Sequence, residues 1–416
     1  MIETDEYRSL EILDASTYEF AEKSTDLFKK RYEKASSSVG SELRKFTDTP
    51  VTIQASFSGD HDARLYKETG LYKLVVDGNL LASTSKLITW FSVSDDFSRV
   101  AYFETDGSDE GILYIMKNGS IQEKRDGFFH QVLFFQDSYY AVQAFRGKDI
   151  PEGVPLNSQR VILDGNIVWG KDVSEVEFIS LSRFGEECLV AVGNWMKARI
   201  YRGNLSDPAT WKQVASMNHP AFPIAIRDGM VYLLEYTGYG AITRDGEIIA
   251  RLDNPVEEFS GYVEPAMMIG DRLLVFTLKD AKLQPVVYDI NGNKQAHLPV
   301  YEYSALAASC HDEKRGVLHL TSMGRPEIVY SYSDGMLHLE SEQRLLETDI
   351  KEGFAMNGKT KVHYFLASRK GSRHDRAVVY GYGGFNLGTT PGFRPNYAYL
   401  LLFIQVHGSH LSAERI

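Results

Sequence analysis

The residues best suited to chemistry lie late in the sequence, in Val378-Val379-Tyr380-Gly381-Tyr382-Gly383-Gly384-Phe385-Asn386. The apolar run from Ala377 to Tyr380 predicts a short buried strand. Gly383 and Gly384 can take the positive φ that a crowded turn demands. Tyr382 and Phe385 flank them. A hydroxyl and an apolar ring thus stand at the carboxyl end of a strand, where an open α/β sheet places its site. A Gly-rich turn with core aromatics has the same local spelling, so the surrounding elements must decide.

Other candidate groups are weaker. An attacking serine needs a strained Gly-x-Ser-x-Gly turn to lift it from the backbone, and the sequence has no such spelling up to Ile416. His407 and Ser409 stand two residues apart with neither an acid nor an oxyanion scaffold, and read as incidental. His407 and His410 could share a metal, but the tail lacks the further ligands a zinc site requires. No metal or cofactor is therefore expected. His61, His130, His219 and His311 read as scattered loop residues, solvated or locally bonded.

Composition narrows the classes. The chain has 416 residues, 43% hydrophobic, 24% charged and 12% aromatic, the balance of a folded protein rich in β structure. A net charge of −11 argues against nucleic-acid and anionic-membrane partners, which need a basic face. Two distant cysteines, Cys188 and Cys310, make no disulfide framework and point to the cytoplasm. The acidic start, Met1 to Glu6, is no signal peptide, and no apolar run reaches membrane-spanning length.

Three regions must position the late motif. Residues 1–49 read as helical. Ser16-Thr17-Tyr18-Glu19 has capping-box spelling, Phe20, Leu27, Phe28 and Tyr32 recur at helical spacing, and Ser36 to Gly40 is expected to end the helix. Residues 50–342 carry a recurring turn: Asp77-Gly78, Asn118-Gly119, Asp164-Gly165, Arg202-Gly203, Asp245-Gly246, Asn291-Gly292 and Asp334-Gly335. The glycines are 38 to 46 residues apart, and alternating strands such as Tyr72 to Val76 precede the turns. Asx-Gly between strands makes a tight hairpin. A period of this length with several strands per unit predicts a β-propeller, here with seven blades. Gly147 to Pro155 pads one unit with a polar loop. Residues 343–416 break the period. A hairpin about Asn357-Gly358 precedes a charged loop and then the Ala377–Tyr380 strand.

In that setting YGYGGFN resembles the prolyl oligopeptidase family of serine peptidases, and the order of regions matches over about residues 1–397. The resemblance implies a mainly β fold: a helical segment, a seven-bladed propeller, and the first strands of an α/β-hydrolase catalytic domain. It implies that Tyr382 donates to an oxyanion and that Phe385 lines the pocket for a proline ring. Relatives that cut after basic residues usually carry serine after the second glycine, so Gly384-Phe385 favours the proline-directed branch. The expected ligands are short proline-containing peptides. After Tyr397 the tail departs from the family pattern, and the Ser/Asp/His triad is absent from this chain. The expected reading is the N-terminal portion of such a peptidase, inactive alone. The alternatives are a non-catalytic peptide-binding propeller, or one half of a split enzyme completed by a C-terminal catalytic polypeptide. Apolar surface about Leu366, Val379 and Leu400 to Ile404 predicts self-association.

Overall fold

The computed structural model describes residues 10, 12, 14–146, 150–257, 263–373, 376–382, 389–402 and 405–410. Helix α1 (Ala15–Thr47) leads into the sheets. Its N-cap is Asp14, whose carboxylate accepts from the Ser16 and Thr17 amides, so the capping box expected at Ser16 is corrected by two residues. The helix also continues through Ser36–Gly40, the expected stop, because nothing there supplies a positive-φ terminator. It ends beside Phe46, which is buried and meets Tyr399 edge-on at 6.5 Å.

Antiparallel meanders follow. The first sheet holds β1 (Val51–Ser58), β2 (His61–Glu68), β3 (Leu71–Val76) and β4 (Asn79–Thr84). The next is seven-stranded: β5 (Leu87–Val93), β6 (Arg99–Thr105), β7 (Gly111–Lys117), β8 (Ser120–Phe135), β9 (Ser138–Ala144), β10 (Gln159–Leu163) and β11 (Asn166–Trp169). Four-stranded sheets resume with β12 (Phe178–Phe184), β13 (Glu187–Asn194), β14 (Lys197–Asn204) and β15 (Asp207–Met217). Then come β16 (Ala221–Arg227), β17 (Met230–Glu235), β18 (Ala241–Arg244) and β19 (Glu247–Arg251). Next are β20 (Ala266–Ile269), β21 (Arg272–Lys279), β22 (Lys282–Asp289) and β23 (Lys294–His297). The last meander is β24 (Ala305–His311), β25 (Gly316–Ser322), β26 (Arg325–Ser333) and β27 (Met336–Gln343).

The arrangement is propeller-like: neighbouring sheets pack in sequence order, and β1 returns to pack on β24. The expectation of seven separate blades is corrected to five, with one joined sheet between the first and second. The cause is β8. Its first half pairs with β7 and its second half with β9, and Gly127, at φ 147°, stands where the ladders change over. Five of the expected turns, at Asp77, Asn118, Asp164, Asp245 and Asp334, have positive φ at both central residues. Arg202-Gly203 is not a turn. Gly203 lies inside β14, where a Cβ would come within 2.3 Å of the Trp211 ring.

Side chains tie adjacent sheets together where backbone ladders cannot. The Gln54 amide bonds both the N–H and the carbonyl of Phe91 at 2.9 Å. Gln131 does the same to Leu181, and within the joined sheet Trp90 Nε1 donates across to the Phe129 carbonyl at 3.0 Å. Between sheets the core is apolar, as at Tyr232, Leu234, Ile242, Leu273 and Val275, all fully buried. The first and last meanders share no strand. A polar clasp joins them instead: Arg64 donates to both Glu327 oxygens at 2.5 and 2.6 Å, Thr52 donates to the same carboxylate, and His319 Nδ1 lies 3.2 Å from it.

Past the ring, β28 (Thr348–Asn357), β29 (Thr360–Arg369), β30 (Ala377–Tyr382) and β31 (Gln405–His410) form a mixed sheet, with α2 (Pro395–Leu400) between the last two strands. The order is β28-β29-β31-β30, with β31 antiparallel to β29 and parallel to β30. Two expectations are corrected here. The tail, read as departing from pattern, supplies a helix and an inserted strand. The Ala377–Tyr380 strand, read as buried, lies at the sheet edge with Val379 75% exposed.

Candidate functional site

The last residues of β30 carry the motif singled out in the sequence. Gly381 and Tyr382 pair in register with Ser409 and His410 of β31. The Tyr382 side chain and Gly383 to Phe385 lie outside the described residues, as do the side chains of His407, Ser409 and His410. Behind the strand, the Arg394 guanidinium lies over the rings of Tyr380 and Tyr397, 5.5 and 5.3 Å from their centroids. Just before Arg394 the chain touches the last meander, where the Phe393 amide donates to Thr321 Oγ1 at 3.3 Å.

A cavity of about 2550 Å³ runs through the ring and reaches the mixed sheet. The opening strands of successive repeats line it, through Gln54, His130, Ile179, Ile224, Met268 and Ser309. Phe354 and His363 of the mixed sheet complete the wall, and Thr390 lies just past the motif loop. Exposed apolar side chains rim this space: Phe178, Trp195, Met196, Tyr239 and Phe354 are each more than half exposed. Such a space matches a flexible peptide better than a small rigid cofactor. None of the described residues of the padded loop, 150–155, lines it.

Three of the four histidines read as scattered loop residues converge on this cavity, which corrects that reading. His130 lies in β8, 4.3 Å from the Phe128 ring, and burial, with Arg146 adding to it, pushes its pKa down to about 4. His311 ends β24. Burial opposes its charge, but Glu264, 2.8 Å from Nδ1, outweighs that and raises the pKa. His219 precedes β16, with Nε2 3.4 Å from Glu235. His61 alone stays outside, paired with Asp77 at 2.8 Å. The available signal was position, since each of the three falls on, or just before, the strand that opens a repeat. His363 was not singled out at all. It is buried in β29, its Nε2 3.2 Å from Glu352, and Glu352 accepts from Lys282 of β22 at 2.6 Å. That chain of contacts ties the ring to the mixed sheet.

Cys188 and Cys310 are both free and buried, and burial pushes the Cys188 thiol up to about 12. Among the described residues, no group of three or more His, Cys, Asp or Glu could hold a metal ion, and no helix is long and apolar enough to cross a membrane.

A propeller-like ring set against a mixed sheet, with a cavity between them, defines the class of fold. Solved structures identify it more closely as the fold of the prolyl oligopeptidases. A prolyl endopeptidase superposes with a TM-score of 0.81 at 15% identity, over 97% of this chain and 68% of that one. Prolyl oligopeptidase B from Galerina marginata, bound to a 35mer hydrolysis and macrocyclization substrate, gives 0.78 at 13% over the same shares. Oligopeptidase B from Leishmania major gives 0.72 at 11%, over 96% and 65%. The chain thus spans about two-thirds of the length of these proteins. No family model matches the sequence, and no curated protein matches it.

Proposed function

We propose that this chain is the propeller-bearing portion of a prolyl-oligopeptidase-like serine peptidase that cleaves short peptides after proline. The carrying observation is the cavity: ring and mixed sheet enclose one peptide-sized space, and the strand bearing Gly381-Tyr382 ends at that sheet. In this reading β28-β29-β31-β30 is the start of an α/β-hydrolase sheet. Tyr382 is the oxyanion donor, a role worth about 3–4 kcal/mol of transition-state stabilisation. Phe385 receives the proline ring. The ring of sheets excludes folded proteins by size. Because the sequence contains no Gly-x-Ser-x-Gly turn, the acyl-transfer step belongs to residues supplied elsewhere, and this chain alone binds peptides without cleaving them.

A proline-amide fluorogenic peptide tests this. The chain is expected to bind it without turnover. Addition of a polypeptide that carries the serine, acid and histidine is expected to restore cleavage, blocked by a serine-directed phosphonate. Turnover by the chain alone that the phosphonate abolishes would overturn the assignment. The missing turn also favours a second reading, a non-catalytic peptide-binding propeller, which predicts binding that no added polypeptide converts into cleavage.

A further inference from the structure

Ser309 and His311 alternate along β24 and both line the cavity. Glu264, just before β20, is pinned beside them. Ser309 Oγ accepts from the Glu264 amide at 2.9 Å and donates to the Glu264 carbonyl at 3.3 Å. With its backbone fixed there, Glu264 sets Oε2 2.8 Å from His311 Nδ1. Bonding to a carboxylate puts a proton on Nδ1 and leaves Nε2 for the cavity. Nε2 makes no hydrogen bond with any described residue, yet it is not enclosed, since the side chain is 24% exposed. Burial opposes a charge on the ring, but Glu264 and then Asp312 outweigh it and raise the pKa. At mildly acid pH both ring nitrogens therefore carry protons, and Nε2 is an open donor.

We propose that His311 Nε2, backed by Glu264, donates to a backbone carbonyl oxygen of a peptide ligand lying in the cavity. The proposal rests on the peptide-binding reading of that cavity. Charge selects the ligand group. Glu264, Asp312 and Glu313 line the cavity around the imidazole. Lys314 and Arg315 of the same turn do not line it, and Arg315 is engaged elsewhere, by the Gly59 carbonyl and the Phe57 ring. The neighbouring strands add no closer charge. β1 and β20 carry no titratable side chain, and His319 of β25 stands opposite Ala308 and meets Glu327. Three carboxylates against one imidazolium repel a ligand carboxylate. A neutral carbonyl accepts the same proton without that repulsion.

The experiment is a pH series of calorimetric binding to this chain. The ligand is a short proline-containing peptide, acetylated and amidated, with no titrating group of its own. Near-ultraviolet circular dichroism identifies the pH range in which each variant is folded. Wild type is expected to bind about tenfold more tightly at about pH 5.5 than at about pH 8.5, the worth of one hydrogen bond from a charged donor. His311→Gln carries an amide donor at every pH. It should bind with an affinity between the two wild-type limits and lose the pH response. Glu264→Gln removes the charge that favours the imidazolium, so the fall in affinity should move to lower pH. A merely structural role would weaken binding at every pH and leave that midpoint unmoved. Binding by wild type that ignores pH, or a pH response that survives His311→Gln, overturns the subsite and leaves the peptide cavity standing. A free-acid form of the peptide that gains more from His311 than the amide does overturns the choice of a carbonyl. Absence of any peptide binding by folded wild type across the series overturns the cavity reading itself.

Discussion

At the scale of single residues, the cavity histidines respond oppositely to pH, and geometry sets the signs. His130 titrates near 4 in the folded chain against about 6.5 unfolded. Between those values the unfolded chain binds more protons, so stability falls as pH drops from about 6.5 towards 4 and levels off below. His311 is raised by Glu264, so its contribution is complete below about 6.5 and is lost as pH rises through its folded value. We expect His130→Phe to flatten the acid limb of a urea-midpoint profile and Glu264→Gln to flatten the limb above pH 6.5. If each variant keeps the wild-type slope in its own limb, the titrating groups lie elsewhere. None of this was legible in the sequence. A histidine within or beside a strand looks like any loop histidine until the ring closes and several such strands face one space. Tyr382 and Phe385, by contrast, were conspicuous because only a few chain segments combine two glycines with two aromatics after an apolar run.

Among the elements, the repeating hairpins were readable because Asx-Gly has a local cause, positive φ at both turn residues, which Asp77-Gly78 and Asp334-Gly335 display. What failed to show were features decided at a distance. The continuity of β8 depends on Gly127 carrying one strand between two ladders. The edge position of β30 depends on β31 inserting from later in the chain. The clasp between the first and last meanders is of the same kind, since Arg64 and Glu327 lie 263 residues apart. Glu327 is 13% exposed. Burial alone would raise its pKa, but His319, Arg64 and Thr52 together bring it down to about 2. Its stabilisation is therefore present above the unfolded carboxyl value and lost only as pH falls towards 2. Glu327→Gln keeps the shape but leaves the Arg64 cation without a counter-charge, and is expected to cost about 2–3 kcal/mol. Glu187→Gln, which breaks the more open Arg202 pair with a 40% exposed carboxylate, should cost about 1 kcal/mol or less. Comparable shifts in urea midpoint for the two variants would show that the clasp does not govern ring closure.

At the scale of the whole molecule, several large apolar side chains among the described residues stay exposed. Leu401 is fully buried against Phe365 and Ala367 and Leu366 is half-buried, so part of the surface expected to drive association is already satisfied. Val379 is not. It projects from β30, which among the described residues pairs only with β31 and so leaves one edge open. Along α1, Tyr18, Leu27, Phe28 and Tyr32 are each at least 44% exposed, on a helix whose packing onto the body is concentrated near Phe46. An open edge templates strand pairing, and an apolar helix face adds area without direction. If the edge governs, purified chain at tens of micromolar should scatter light as a dimer or larger species, and Val379→Lys should return it to monomer, because a charge on an edge strand opposes pairing. If the helix governs, Leu27→Glu with Phe28→Glu should do so instead, with Val379→Lys without effect. A wild type that is monomeric across that range would mean that neither surface is sticky enough to act. A polypeptide that continues the sheet beyond β30 competes for the same edge. Its addition should dissolve edge-driven oligomers while leaving helix-driven ones intact, so one scattering titration separates the two surfaces.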